Sequence, residues 1–77
     1  MTSVDLLVSL DYDKVPYDES ARIDIGRLVD SVPTARVVAG NPHSAVRVRL
    51  DPRQAALLRQ TVAAYCTVDR YADLDLF

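Results

Sequence analysis

The sequence predicts an α+β sandwich, with two helices lying on one face of a four-stranded antiparallel sheet. Three observations carry that expectation. Apolar residues alternate at period two in "VDLLVSLD" and "AVRVRL", the pattern of half-buried strands. They recur every three or four residues in "IDIGRLVDSV" and "AALLRQTVAAY", the pattern of helices with one buried stripe. The "GNPHS" cluster between two strand segments reads as a hairpin turn.

The first strand covers residues 4–11, with Val4, Leu6, Val8 and Leu10 on one face and Asp5, Leu7, Ser9 and Asp11 on the other. Residues 12–22, "YDKVPYDESAR", have no usable period and read as a long loop, a class that more often carries function than filler. A short helix follows. Asp24 serves as its N-cap, Ile23 and Leu28 have the spacing of a hydrophobic staple, and Ile25, Leu28, Val29 and Val32 form the inward stripe until Pro33 ends it. "TARVVAG" (34–40) is a second strand and "AVRVRL" (45–50) a third, with Val46, Val48 and Leu50 inward and Arg47 and Arg49 outward.

Asp51 then opens a second helix, with Pro52 at its first position and Gln54 completing a D-x-x-Q capping box. Its predicted buried stripe is Ala55, Leu58, Val62 and Tyr65, widened by Leu57 and Thr61, and "CTVDRYADLDLF" returns to β character. The order β-α-β-β-α-β closes into a ferredoxin-like sandwich. In that arrangement the third strand ends where the second helix turns back across the sheet, which explains why Asp51 follows Leu50 with no loop between them.

At 77 residues the chain is one domain, 1–77, and a core of that size supplies only about 3–5 kcal/mol net. Net charge is −2 but unevenly spread: residues 1–30 carry seven acids against three bases, and residues 31–60 carry one acid against five. An acidic whole with a basic middle argues against general nucleic-acid binding. A lone cysteine, Cys66, forms no internal disulfide and anchors no cysteine-rich metal site. The absence of a long apolar run or a signal-peptide pattern points to a cytoplasmic chain without a membrane partner.

The residues expected of an enzyme are not grouped in the sequence. It contains no CxxC, no HxxxH and no glycine-rich phosphate loop, so the expectation is a non-enzymatic protein with no cofactor and no metal. His43, the sole histidine, falls in the predicted turn, and Cys66 reads as a small buried residue at a helix–strand junction. RNA-binding sheets of this kind stack bases on aromatic residues of the first and third strands, and neither strand has one here.

The stretch "SAVRVRLDPRQAALLRQTVAAYCTVDRY" and the apolar end "YADLDLF" together resemble the subtilisin propeptide family and its stand-alone inhibitors. The resemblance spans most of the chain from Val4 onward. It departs where the family usually opens its third strand with a glycine–aromatic pair, since this chain has Ser44-Ala45. Membership would imply that the sheet packs on a subtilisin-like protease and that the C-terminal residues lie in its cleft. Leu74, Asp75, Leu76 and Phe77 would then bind the protease, with Leu74 in the fourth pocket back from the cleavage point and Phe77 in the first.

Three other candidate partner surfaces follow from the residues themselves. Asp11, Asp13, Asp18 and Glu19, in and beside the long loop, would serve a small acidic inhibitor or adaptor that occupies another macromolecular machine. Arg47 and Arg49, facing Asp5 across the helix-free side of the sheet, would either pair internally or meet a protein partner. The segment "TARVVAG", as an exposed edge, would allow pairing with a second copy in a ligand-sensing or assembly role.

Overall fold

Strict alternation in β1 (Val4–Leu10) and β3 (Ala45–Leu50) places every second side chain on one side of the sheet, and that side is where the core lies. The structure, a computed structural model, describes residues 2–71. Between and beyond those strands run α1 (Tyr17–Ser20), α2 (Ile25–Asp30), β2 (Arg36–Asn41), α3 (Ala55–Val62) and β4 (Cys66–Arg70). A single 3-10 turn, Pro52–Gln54, leads into α3. The chain is a small α+β domain with an open, four-stranded antiparallel sheet in the order β2-β3-β1-β4.

β1 is central. It pairs Leu6 with Val48 and Val8 with Val46 on one flank, and Val8 with Val68 and Leu10 with Cys66 on the other. Leu6, Val8 and Leu10 join Val46, Val48 and Leu50 beneath Ile25, Val29 and Val32 of the α2 region and Leu58 and Val62 of α3. Both longer helices therefore cover the same face, and the odd-numbered residues of β1 and β3 lie on the face they leave uncovered. Burying a Leu, Ile or Val side chain in this way contributes about 1.5–3 kcal/mol each before chain entropy is counted.

The helix starts are built by local hydrogen bonds. Asp24 Oδ1 accepts from the Arg27 N–H at 3.2 Å, as expected of an N-cap, and the Ile25 N–H donates to the Pro42 carbonyl at 2.9 Å, fastening α2 to the β2–β3 turn. Ile23 and Leu28 pack partly buried against the core. At the β3–α3 junction the cap differs from the expected box. Asp51 Oδ1 accepts from the Arg53 N–H at 2.9 Å and the Asp51 carbonyl accepts from the Gln54 N–H at 2.9 Å, so the first turn winds as a tight 3-10 turn. The Asp51 N–H donates to Thr34 Oγ1 at 3.1 Å, and Thr34 holds a positive φ of 68° to reach it.

Three further expectations are corrected. Residues 12–22 are not wholly irregular: Val15 is buried and Tyr17–Ser20 forms one helical turn, closed by Ser20 Oγ donating to the Tyr17 carbonyl at 2.6 Å. One turn is too short to show a period. Tyr65 and Leu57 do not belong to the buried stripe of α3. Each is about two-fifths exposed, because α3 ends at Val62 and Tyr65 leaves the helical phase, while Leu57 stands 100° around the helix from Leu58. The strand "TARVVAG" begins only at Arg36, and a bulge between Val37 and Ala39 leaves all six residues of β2 exposed at the sheet edge.

The two adjacent leucines of α3 give a direct check. Leu58→Ala is expected to cost about 2–5 kcal/mol in urea unfolding, enough to unfold much of a domain this small. Leu57→Ala is expected to stay within about 0.5–1 kcal/mol of wild type. Equal costs would place the α3 stripe elsewhere.

Candidate functional site

Two surfaces gather side chains that could do chemistry or recognition. The first is the helix-free face of the sheet. Register sets Asp5 opposite Arg49 and Leu7 opposite Arg47, so both guanidinium groups converge on one carboxylate. Arg49 Nε donates to Asp5 Oδ1 at 2.9 Å and Arg47 Nε to Asp5 Oδ2 at 2.7 Å, and Arg47 Nη2 forms a further ion pair with Oδ2. The carboxylate side chain keeps only 16% of its exposure. Arg47 also lies over the ring of Tyr71, 4.3 Å from its centroid, a cation–π contact worth about 0.5–1 kcal/mol at an exposed site. Arg47 and Arg49 are thus brought together, but as partners of Asp5, which leaves them poorly placed to meet a separate anion.

The second surface is the segment after β1. Asp11 Oδ1 accepts from the Asp13 N–H at 2.9 Å, and its carbonyl accepts from the N–H groups of Lys14 and Val15, which folds residues 11–15 into a tight turn. Val15 is thereby driven into the interior. Lys14 reaches across the domain, its Nζ donating to the carbonyls of Ala63 at 2.9 Å and Cys66 at 3.3 Å, where α3 ends and carbonyl partners run out. Those anchors leave Tyr12 and Tyr17 outside, 50% and 79% exposed, with ring centroids 5.6 Å apart and planes tilted by 41°.

Asp13, Asp18 and Glu19, neighbours of Tyr12 and Tyr17 along the chain, stand exposed, with Asp11 half-buried at the base of the turn. Among the described residues no three His, Cys, Asp or Glu side chains converge as metal ligands. The four acids therefore stand spread along the segment rather than converging on one point. Sequence reading found the acids but missed the tyrosine pair and the role of Lys14. The pairing of Tyr12 with Tyr17 depends on a turn that only the burial of Val15 reveals, and the partners of Lys14 are separated from it by 49 and 52 positions.

Leu74, Asp75, Leu76 and Phe77, the residues the family resemblance would place in a protease cleft, lie outside the described residues. Cys66 is buried, and burial pushes its thiol up from the ordinary value, with Lys14 opposing that rise. It is held away from the thiolate form that nucleophilic chemistry needs. His43 is exposed in the β2–β3 turn, its Nδ1 2.9 Å from the Ile23 carbonyl, so it links that turn to the entry of α2. Among the described residues no helix is long and apolar enough to cross a membrane. No protein-family model, curated protein or solved structure matches the chain.

Asp5 provides the pH test. Hydrogen bonding from Arg49 leads in holding its carboxyl down to about 2 from the ordinary 3.8; partial burial opposes this, and the Arg47 hydrogen bond and both positive charges add to it. Because the folded value lies below the unfolded one, the pair stabilises the fold fully above about pH 4 and loses that contribution as pH falls through about 2. An NMR titration of the Asp5 carboxyl carbon is expected to show the low midpoint, and Arg47→Gln with Arg49→Gln is expected to return it towards the ordinary carboxylate range. An unchanged midpoint in the double variant would contradict the assignment.

Proposed function

We propose that this chain is a non-catalytic protein-binding domain, a small acidic inhibitor or adaptor that recognises its partner through the segment after β1. The observation that carries the reading is the exposed Tyr12–Tyr17 pair in an acidic segment. Paired tyrosines supply large contact area at low side-chain entropy cost, which is why they dominate interface hot spots. The acids add selection for a positively charged partner and speed encounter with it. Lys14, the one base in the turn, is directed onto the carbonyls of Ala63 and Cys66, and Asp11, Asp13, Asp18 and Glu19 outnumber it.

The partner this chemistry fits is a protein with a basic, partly apolar contact patch, such as the nucleic-acid-binding face of another machine. The platform is pre-organised: Val15 beneath it, the Asp11 turn and the Lys14 anchors fix it before any partner arrives. Rigid presentation lowers the ordering cost of association. The fold is proposed to be ferredoxin-like, a reading supported by the strand order β2-β3-β1-β4 and by two helices sharing one face.

The test is partner capture from the native host, comparing wild type with Tyr12→Ser/Tyr17→Ser and with Asp13→Lys/Asp18→Lys/Glu19→Lys. Folding of each variant is checked by circular dichroism. The tyrosine variant is expected to lose at least 10-fold in affinity for the captured partner. The charge-reversed variant is expected to slow association and to abolish its salt dependence. Undiminished capture by both folded variants would refute this surface.

A further inference from the structure

Among the described residues the sheet ends in a strand with one unpaired flank on each side, β2 and β4, and the two edges are blunted differently. β2 is interrupted by the bulge between Val37 and Ala39. β4 has no bulge and pairs with β1 in unbroken register from Leu10–Cys66 to Leu6–Arg70. A regular, unpaired edge is a ready template for another strand.

Backbone direction shows what the β4 edge presents. The Asp11 N–H donates to the Tyr65 carbonyl, so the peptide groups of Thr67 and Asp69 also face β1 by alternation, and those of Cys66, Val68 and Arg70 face outward. Two of these outward carbonyls are taken by cationic side chains from other elements. Lys14, between β1 and α1, donates from Nζ to the Cys66 carbonyl at 3.3 Å while also holding the Ala63 carbonyl at 2.9 Å. Arg59, on α3, donates from Nη1 to the Val68 carbonyl at 3.2 Å.

We propose that β4 is a latent pairing edge for a second copy of this chain, and that Lys14 and Arg59 keep it closed. The edge lies apart from the tyrosine pair, and the inference does not rest on it. Each cation occupies a carbonyl that an incoming N–H would need. A second copy is the occupant that β4 itself fits, because the strand is self-complementary. Antiparallel pairing about a two-fold axis at Val68 sets Val68 against its own copy and Cys66 against Arg70. Cys66 and Val68 pack on the core side, so Thr67 and Asp69 meet on the helix-free side. No like charges of β4 stand opposite each other in that register, and it uses only residues 66–70. The opposition comes from the two guards: Arg59 would meet its own copy near the axis, and Lys14 would meet the partner copy's Arg70 end.

Sedimentation velocity and amide exchange on the full chain test this. Wild type is expected to sediment as a monomer, with the Val68 and Arg70 amides exchanging close to open-peptide rates while those of Leu7 and Ser9, paired with β4, stay protected. Lys14→Met/Arg59→Met keeps the apolar stems and removes the charges. It is expected to dimerise on concentration, with Val68 exchange slowed roughly 10-fold and an intermolecular Hα–Hα NOE between Thr67 and Asp69. Arg59 is exposed, so Arg59→Met alone spares the core and is expected to show the same protection at higher concentration. Protection of Leu7 and Ser9 tells association apart from unfolding. Folded variants that both stay monomeric would overturn the proposal. Dimers that leave Val68 open, or a wild-type dimer already protected there, would also overturn it.

Discussion

One-sided burial of the sheet is the constraint on which the rest of the structure depends. A chain of this length has one small core to draw on, and Leu6, Val8 and Leu10 with Val46, Val48 and Leu50 concentrate it on a single face beneath α2 and α3. Period-two strands cannot change which residues they bury without a register slip that turns every side chain over. The face carrying Asp5, Leu7, Arg47 and Arg49 is left uncovered by the helices as a direct result. Its charges are then handled by the cheapest available means, cross-strand pairing, which contributes only about 0.2–1 kcal/mol per pair at a surface.

The same constraint explains where recognition is located. With the helices committed to the core and the sheet face occupied by its own ion pairs, variable chemistry is displaced to the connections and edges. The β1–α2 connection is the longest, and it is ordered by contributions from distant parts of the chain: Val15 in the interior and Lys14 on the last carbonyls of α3 and the first of β4. Tyr12 and Tyr17 can remain outside only because those two neighbours point inward. At the other connection, Gly40 at φ +105° lets β2 close on β3, where a Cβ would collide with the backbone of Ala45 and Val46. An edge strand with a bulge and a tight turn is poorly suited to continuous pairing with another chain.

Much of the architecture could be read from the sequence because it rests on local signals. Alternation identified β1 and β3, Asp24 and Pro33 bracketed α2, and Asp51-Pro52 marked the abrupt entry to α3. What escaped had either no period or no local cause. A single helical turn at Tyr17–Ser20 offers nothing to count, the exposure of Tyr65 depends on where α3 stops, and the Arg47–Tyr71 contact joins residues brought together only by the β3-β1-β4 order. For the site, residue type was legible and grouping was not. The acids at 11, 13, 18 and 19 were visible as charge, whereas the aromatic pair in the same segment exists only once the turn has folded.

The most direct measurement is the set of methyl–methyl NOEs in the folded chain. The structure requires contacts from Val29, Leu58 and Val62 to Val8 and Val48, with Leu7 making none to any helix methyl. Leu7 contacts to α2 or α3 would place a helix on the other side of the sheet, and neither the paired-charge face nor the displaced recognition surface would survive that result.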